Sequence, residues 1–260
     1  TARLVSQNAA NIAAELRLTQ DELHGRSVDD LLLLPECRDS ATQLAMEMLS
    51  KLTFFTYAST HELLPIVVCR LVRLSLLHGN TAESANGYTF YGLLLSRDHD
   101  LDRAHRFGRL ALALAHRGGE PAVLSQTYIY ANYLLMHWKS PLADLVPSFR
   151  TAYEYGLQAG SPLNAACSAT TLCICRFWAG DELESLTRDL EQYRGGIVRF
   201  RQALVLSWHD ILLQTVLNLR QESEDPTKLC GPMYDEERRL PLHQTAGDHS
   251  SLFNYYVAKT

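Results

Sequence analysis

The sequence predicts an all-α fold, organised as a right-handed helical-repeat solenoid of antiparallel helix pairs, tetratricopeptide-like, with a period of about 40 residues. Three observations carry that expectation. The composition sets 45 Leu and 26 Ala against 11 Val and 6 Ile, about four strong helix formers for every β-branched aliphatic residue. Ser, Thr, Asp, Gly and Pro recur at intervals that cut the chain into helices of ordinary length. The helices so marked begin near Thr81, Pro121, Ser161 and Phe200, an even step that suits pairs which cannot bury their apolar faces alone and must stack. With 260 residues, 47% of them hydrophobic and 20% charged, the chain can bury a full core, and disorder is excluded.

In chain order, residues 1–37 read as a connector or partial helix pair, with an amphipathic segment from about Val5 to Leu18 and a Leu31–Leu34 run ended by Pro35. Residues 38–220 read as the repeats. Asp39-Ser40 opens a helix to about Tyr57, and Thr60 caps the next, Glu62 to His78, closed by Gly79-Asn80. Thr81 is expected to cap a helix to about Ser96, and Asp98 to Asp100 a helix to Arg117 that Gly118-Gly119 stops. Further helices are expected from Pro121, Ser140-Pro141, Ser161-Pro162 and Asp181, with Pro accepted in a first turn where its missing N–H has no partner to lose. The stretch Gln221 to Pro241, charged and carrying Gly231-Pro232, reads as a long loop or kinked connection. Residues 221–260 as a whole read as that loop and the start of a further, truncated pair, so the chain is expected to be part of a longer protein.

Charge excludes one partner class and cysteine usage points to a compartment. A net charge of −5, with 20 Arg dispersed among 29 acids, lacks the concentrated basic face that nucleic acid requires. The longest uncharged stretch, Tyr155 to Cys175, holds Gln158, Gly160, Ser161, Pro162 and Asn164 in its middle and reads as two helices and a turn instead of a membrane span. Six cysteines without dense spacing fit a reducing cytoplasm better than a secreted disulfide scaffold.

The search for chemistry returns little. Neither GxxxxGK[ST] nor GxGxxG occurs, and Arg97-Asp98-His99-Asp100 sits where an interhelix turn belongs. Cys173 and Cys175 are two residues apart, about 200° around a helix, so with Cys167 they read as small buried hydrophobes and not as a metal set. Trp208-His209-Asp210 splay about 100° apart per residue and do not form a triad. His105, His116 and the pair His137-Trp138 have no tuning partner at helical spacing and read as packing or surface residues. No cofactor, metal or catalytic residue is expected, and the chain is expected not to be an enzyme.

The one positive site is a groove. If each pair's first helix lines a concave surface, it offers Asn86, Thr89, Leu93, Ser96 and Arg97, then Gln126, Ile129, Tyr133, Met136 and His137, then Ala166, Ala169, Cys173, Arg176 and Phe177. Asn86, Arg97, Gln126, Tyr133, His137 and Arg176 supply charge-assisted donors and aromatic faces suited to an extended peptide or a polar small molecule.

The best single unit, Ala85 to about Leu114, resembles a tetratricopeptide repeat, with Tyr88, Tyr91 and Gly92 on one helix and Ala104, Gly108 and Ala111 on the next. Beyond architecture, residues His78 to Ala85 (HGNTAESA), Gly87 to Leu94 (GYTFYGLL), His105 to Leu114 (HRFGRLALAL), His137-Trp138, Phe149 to Leu157 (FRTAYEYGL) and Tyr234 to Glu237 resemble the helical region that follows the STAND-type ATPase module in multi-sensor signal transduction multi-kinases. The likeness spans about residues 28–260. It implies a regulatory or scaffolding segment, flanked in the same chain by a serine/threonine kinase and ATPase module on one side and GAF and histidine kinase domains on the other, and it carries over no catalytic residue. The alternative is the effector-binding helical sensor of a STAND-type transcription activator.

Overall fold

The computed structural model describes residues 2–58, 62–221 and 225–260, with side-chain environments from residue 10 onward except at residue 58. Among these residues the chain is all-α, with thirteen helices, one 3₁₀ turn and no strand, only two isolated bridges. It divides into two compact units, Thr1–Ser140 and Pro141–Thr260.

The N-terminal unit holds α1 (Ala2–Leu23), α2 (Val28–Leu32), α3 (Ser40–Ala58), α4 (Leu64–His78), α5 (Ser84–Arg97), α6 (Leu101–Gly118), α7 (Pro121–Leu134) and the 3₁₀ turn Met136–Trp138. Helix α1 extends past the expected segment and packs on α4, while α3 packs on α5 and α5 on α7. The caps explain the boundaries. Ser27 and Asp30 form a reciprocal capping box that opens α2, a signal the sequence reading passed over. Asp39 accepts from the Thr42 amide and hydroxyl before α3, and Asp100 from the Arg103 amide before α6. The expected Thr60 cap lies outside the described residues, and α4 starts at Leu64 with Pro65 in its first turn. Thr81 does not cap α5: its own amide donates to Ser84 Oγ at 3.0 Å, and the helix begins three residues later.

The segment from Gly79 to Gly92 is a run of close packing. Gly79 has φ +99°, and a Cβ there would lie 2.3 Å from the Pro35 carbonyl oxygen, while the Asn80 amide donates to that oxygen and the Cys37 amide to the Asn80 carbonyl. The buried Asn80 side chain donates to Leu31 O at 2.7 Å and accepts from Tyr88 Oη at 2.9 Å. Ser84 and Ser75 share a buried hydrogen bond, Gly87 admits Leu71, and Gly92 admits Leu135 and the Ala104 carbonyl. The expected close approach of α5 and α6 at Gly92 and Ala104 is present. Tyr88, Tyr91 and Phe107 fill the same core as an edge-packed trio.

The C-terminal unit holds α8 (Leu142–Gln158), α9 (Pro162–Ala179), α10 (Leu183–Arg199), α11 (Ala203–Leu219), α12 (Glu236–Ala246) and α13 (His249–Ala258). Again every second helix packs on the next, α9 on α11 and α11 on α13. Left-handed Gly180 and Gly247 end α9 and α12, and Asp235 and Asp248 cap α12 and α13. Asp181, expected to open α10, instead binds Arg176, and the helix starts at Leu183. The connection before α12 ends at Asp235, with Pro241 inside the helix instead of ending the loop. Its described part is pinned by α11: Gln214 Oε1 accepts from the Met233 and Tyr234 amides, and Asn218 Nδ2 donates to Pro226 O and Lys228 O.

Candidate functional site

In the N-terminal unit, the stacked helices α3, α5 and α7 bring together residues separated by 36 to 40 positions. Asn86 Nδ2 donates to Ser50 Oγ at 2.8 Å and to Gln126 Oε1 at 3.1 Å. One turn farther on, the Phe90 and Tyr130 rings lie 5.2 Å apart and Tyr57 meets Phe90 at 5.3 Å. Two turns past Phe90, Arg97 ends α5, exposed, and about one turn past Tyr130, Tyr133 stands 44% exposed on α7. Burial raises the Tyr57 pKa, the Tyr133 side chain adds to it and the Arg97 charge opposes it, which sets the three in one neighbourhood. The face therefore grades from amides through aromatic rings to a cation.

The expected groove residues separate into two sets. Asn86 is 1% exposed, so it does not line an open surface; with Thr89 and Ile129 it is buried in the packing of α5 and α7. Gln126 is half-buried beside it. His137 is half-buried with its ring 4.6 Å from Trp138, and burial lowers its pKa against hydrogen bonds to the Asn132 and Tyr133 backbone. Arg97 and Tyr133 keep the exposure a ligand would need.

Arg176 belongs to the C-terminal unit, where it is committed internally: Nε donates to Asp181 at 2.6 Å, Nη1 to Asp189 and Nη2 to Ser185. The guanidinium fork, 11% exposed, clamps the end of α9 to the first turns of α10. Ala166, Ala169 and Cys173 are buried as well. Burial pushes the Cys173 thiol up to about 12 and Cys175 to about 11, the behaviour of inert core thiols. Among the described residues no group of three His, Cys, Asp or Glu is placed to hold a metal.

The sequence reading missed a buried polar chain around α11. Asp210, 2% exposed, accepts from Arg194 Nε at 2.7 Å and faces Arg239 at 3.6 Å. Arg239 donates to Ser207 Oγ, which meets His243 Nε2 at 3.3 Å, and His243 Nδ1 meets Asp248 at 3.0 Å. The order Ser207, His243, Asp248 is that of a hydrolase relay. Here Ser207 is 3% exposed and already accepts from Arg239, so the chain ties α12 and α13 to α11 and presents no nucleophile to solvent. His209, its neighbour on α11, points elsewhere, to Thr170 and the Leu190 carbonyl, as consecutive helical residues must. A cleft in this unit is lined by Phe177, Trp178, Trp208, Leu212 and Asn254.

No family model, curated protein or solved structure matches the chain. The resemblance read from the sequence rests on its quoted motifs, and several of those residues pack in the fold: Gly79 and Asn80 fasten the turn after α4 to residues 31–37, while Ser84, Tyr88 and Gly92 join α5 to α4 and α6.

Proposed function

We propose that the chain is a non-catalytic interaction segment, a tetratricopeptide-like helical-repeat array that receives an extended peptide or a polar small molecule on the face formed by α3, α5 and α7. In the protein that the resemblance implies, it acts as the regulatory scaffold or sensor between an ATPase module and kinase and sensor domains. The observation that carries this reading is the alignment of like side chains one helix pair apart, Asn86 with Gln126 and Phe90 with Tyr130, ending at the exposed pair Arg97 and Tyr133. Stacked repeats couple only to their neighbours, so a ligand bridging α5 and α7 shifts local curvature without unfolding anything.

The test is native mass spectrometry of the purified chain of 29.3 kDa, followed by binding to a degenerate peptide library. The reading expects a bound mass or a selected peptide that Arg97→Ala and Tyr133→Ala each release, with melting temperature unchanged. Ligand retention by both variants places binding elsewhere, and a bare chain that selects no peptide overturns the reading.

A further inference from the structure

Helix α3 carries a second surface, distinct from the face it turns toward α4 and α5. Its inner side buries Met46, Ser50, Thr53 and Thr56. Its outer side leaves Leu44 58%, Met48 59%, Leu52 46% and Phe55 63% exposed. Together with exposed Ala41, these are spaced 3, 4, 4 and 3 residues apart, at 41, 44, 48, 52 and 55, one narrow stripe of the helix and wide enough for one other helix. Four large apolar side chains in a row on one helix are a contiguous patch, not scattered surface residues.

The seam's pattern identifies its occupant. Laid antiparallel on a copy of itself about Met48, it sets Leu44 against Leu52 and Ala41 against Phe55, so small meets large and each apolar residue finds an apolar one. The only charges flanking the middle are Glu47 and Lys51, paired within the helix at 2.5 Å. In the antiparallel register each Lys51 comes within about 3 Å, along the axis, of the second copy's Glu47, so the ion pairs can form across the seam as well as within it. A parallel two-fold pairing instead carries Glu47 and Lys51 of the two copies to opposite sides of the seam, where no ion pair can form between them.

We propose that this face of α3 is a self-association surface, pairing antiparallel with α3 of a second copy of the chain in a two-fold, isologous contact. A seam one helix wide and about four turns long buries less than the roughly 800 Å² per partner of a standard interface. The dimer is accordingly weak, forming in the micromolar range, and suited to association that a high local concentration switches on.

Sedimentation equilibrium over a concentration series tests it, with the mass expected to rise from 29.3 kDa toward twice that value. Met48→Glu, on an exposed position, keeps the chain monomeric at every concentration with its helical circular dichroism unchanged. Glu47→Lys and Lys51→Glu each weaken self-association about tenfold or more through like-charge contacts, and the two single variants mixed together restore it as a heterodimer. A wild type that stays monomeric overturns the proposal, as does a dimer that survives Met48→Glu. Single charge variants that associate no better mixed than alone overturn the antiparallel register and, with it, the argument that the seam recognises itself.

Discussion

Replacing Gly79 by Ala separates two penalties that are often merged. The residue sits at φ +99° and ψ 171°, a region essentially reserved for glycine that costs a side-chain-bearing residue about 1–3 kcal/mol. A Cβ at this position also lies 2.3 Å from the Pro35 carbonyl oxygen and 3.1 Å from the Cys37 amide nitrogen, backbone atoms with no rotamer by which to yield. Relief requires the 35–37 segment to retreat, which breaks the Asn80 N–H to Pro35 and Cys37 N–H to Asn80 bonds at 2.8 and 2.9 Å, at about 1 kcal/mol each. The total is about 3–5 kcal/mol, or a fall in Tm of about 10 °C for a chain of this length. Gly25→Ala is the matched control, since Gly25 has φ +78° but nothing within 4 Å of its built Cβ. Its strain of about 1 kcal/mol is partly offset by the stiffer unfolded chain. Urea denaturation of both variants beside the wild type is the assay. A Gly79→Ala variant that loses no more than Gly25→Ala would refute the claim that the Pro35 contact, beyond the glycine conformation, holds this turn.

Three other substitutions follow from the same geometry. Gly92→Ala gains about 1 kcal/mol of helix propensity, but its Cβ meets the buried Leu135 side chain at 2.7 Å and the Ala104 carbonyl at 3.1 Å; a net loss of about 1–2 kcal/mol is expected in urea melts, and a stabilised variant contradicts the tight α5–α6 approach. Asp210→Ala removes the buried carboxylate shared by Arg194 and Arg239, both about one-third exposed, so the cost is set below that of stranding fully buried charges, at about 2–3 kcal/mol; a loss within the error of the melt shows the network idle. Glu83 has its pKa raised by burial and by nearby Glu47 and Glu120, against the Ser50 hydrogen bond and Lys51. The native state thus holds its proton to higher pH than the unfolded chain, and the ionisation penalty grows as pH rises from the unfolded pKa through the folded one. Glu83→Gln should therefore gain on the wild type as pH rises above the range in which an unfolded glutamate ionises, and a stability difference that is flat or falls with pH rejects the assignment.

Much of the fold is written in punctuation. Asp39, Asp100, Gly119, Pro121 and Pro162 act where a reading of caps and breakers puts them, because each acts on backbone within a few residues of itself. Thr81 does not cap because it sits in a turn before the helix: its amide donates to the Ser84 hydroxyl, its carbonyl accepts from the Ser84 amide, and α5 opens only at Ser84. The site is less legible. Helical periodicity assigns Asn86 to a face, but only the neighbours Ser50 and Gln126, contributed by other helices, turn that face inward. Arg176 was readable as a donor, and its nearby acceptors Asp181 and Asp189 were present in the sequence, yet the turn that folds α10 back on α9 had to be known before the clamp could be seen. The polar chain from Arg194 to Asp248 joins residues from three helices and the cap of a fourth, beyond the reach of any local pattern.

The short bridge between Glu36 and Asn80 has a thermodynamic meaning for the helices it joins. It stitches the entry to α3 onto the exit of α4, enclosing that helix pair in a ring of non-covalent contacts. With its two ends fastened together, the pair is expected to open as one block, its amides sharing one opening free energy instead of fraying residue by residue.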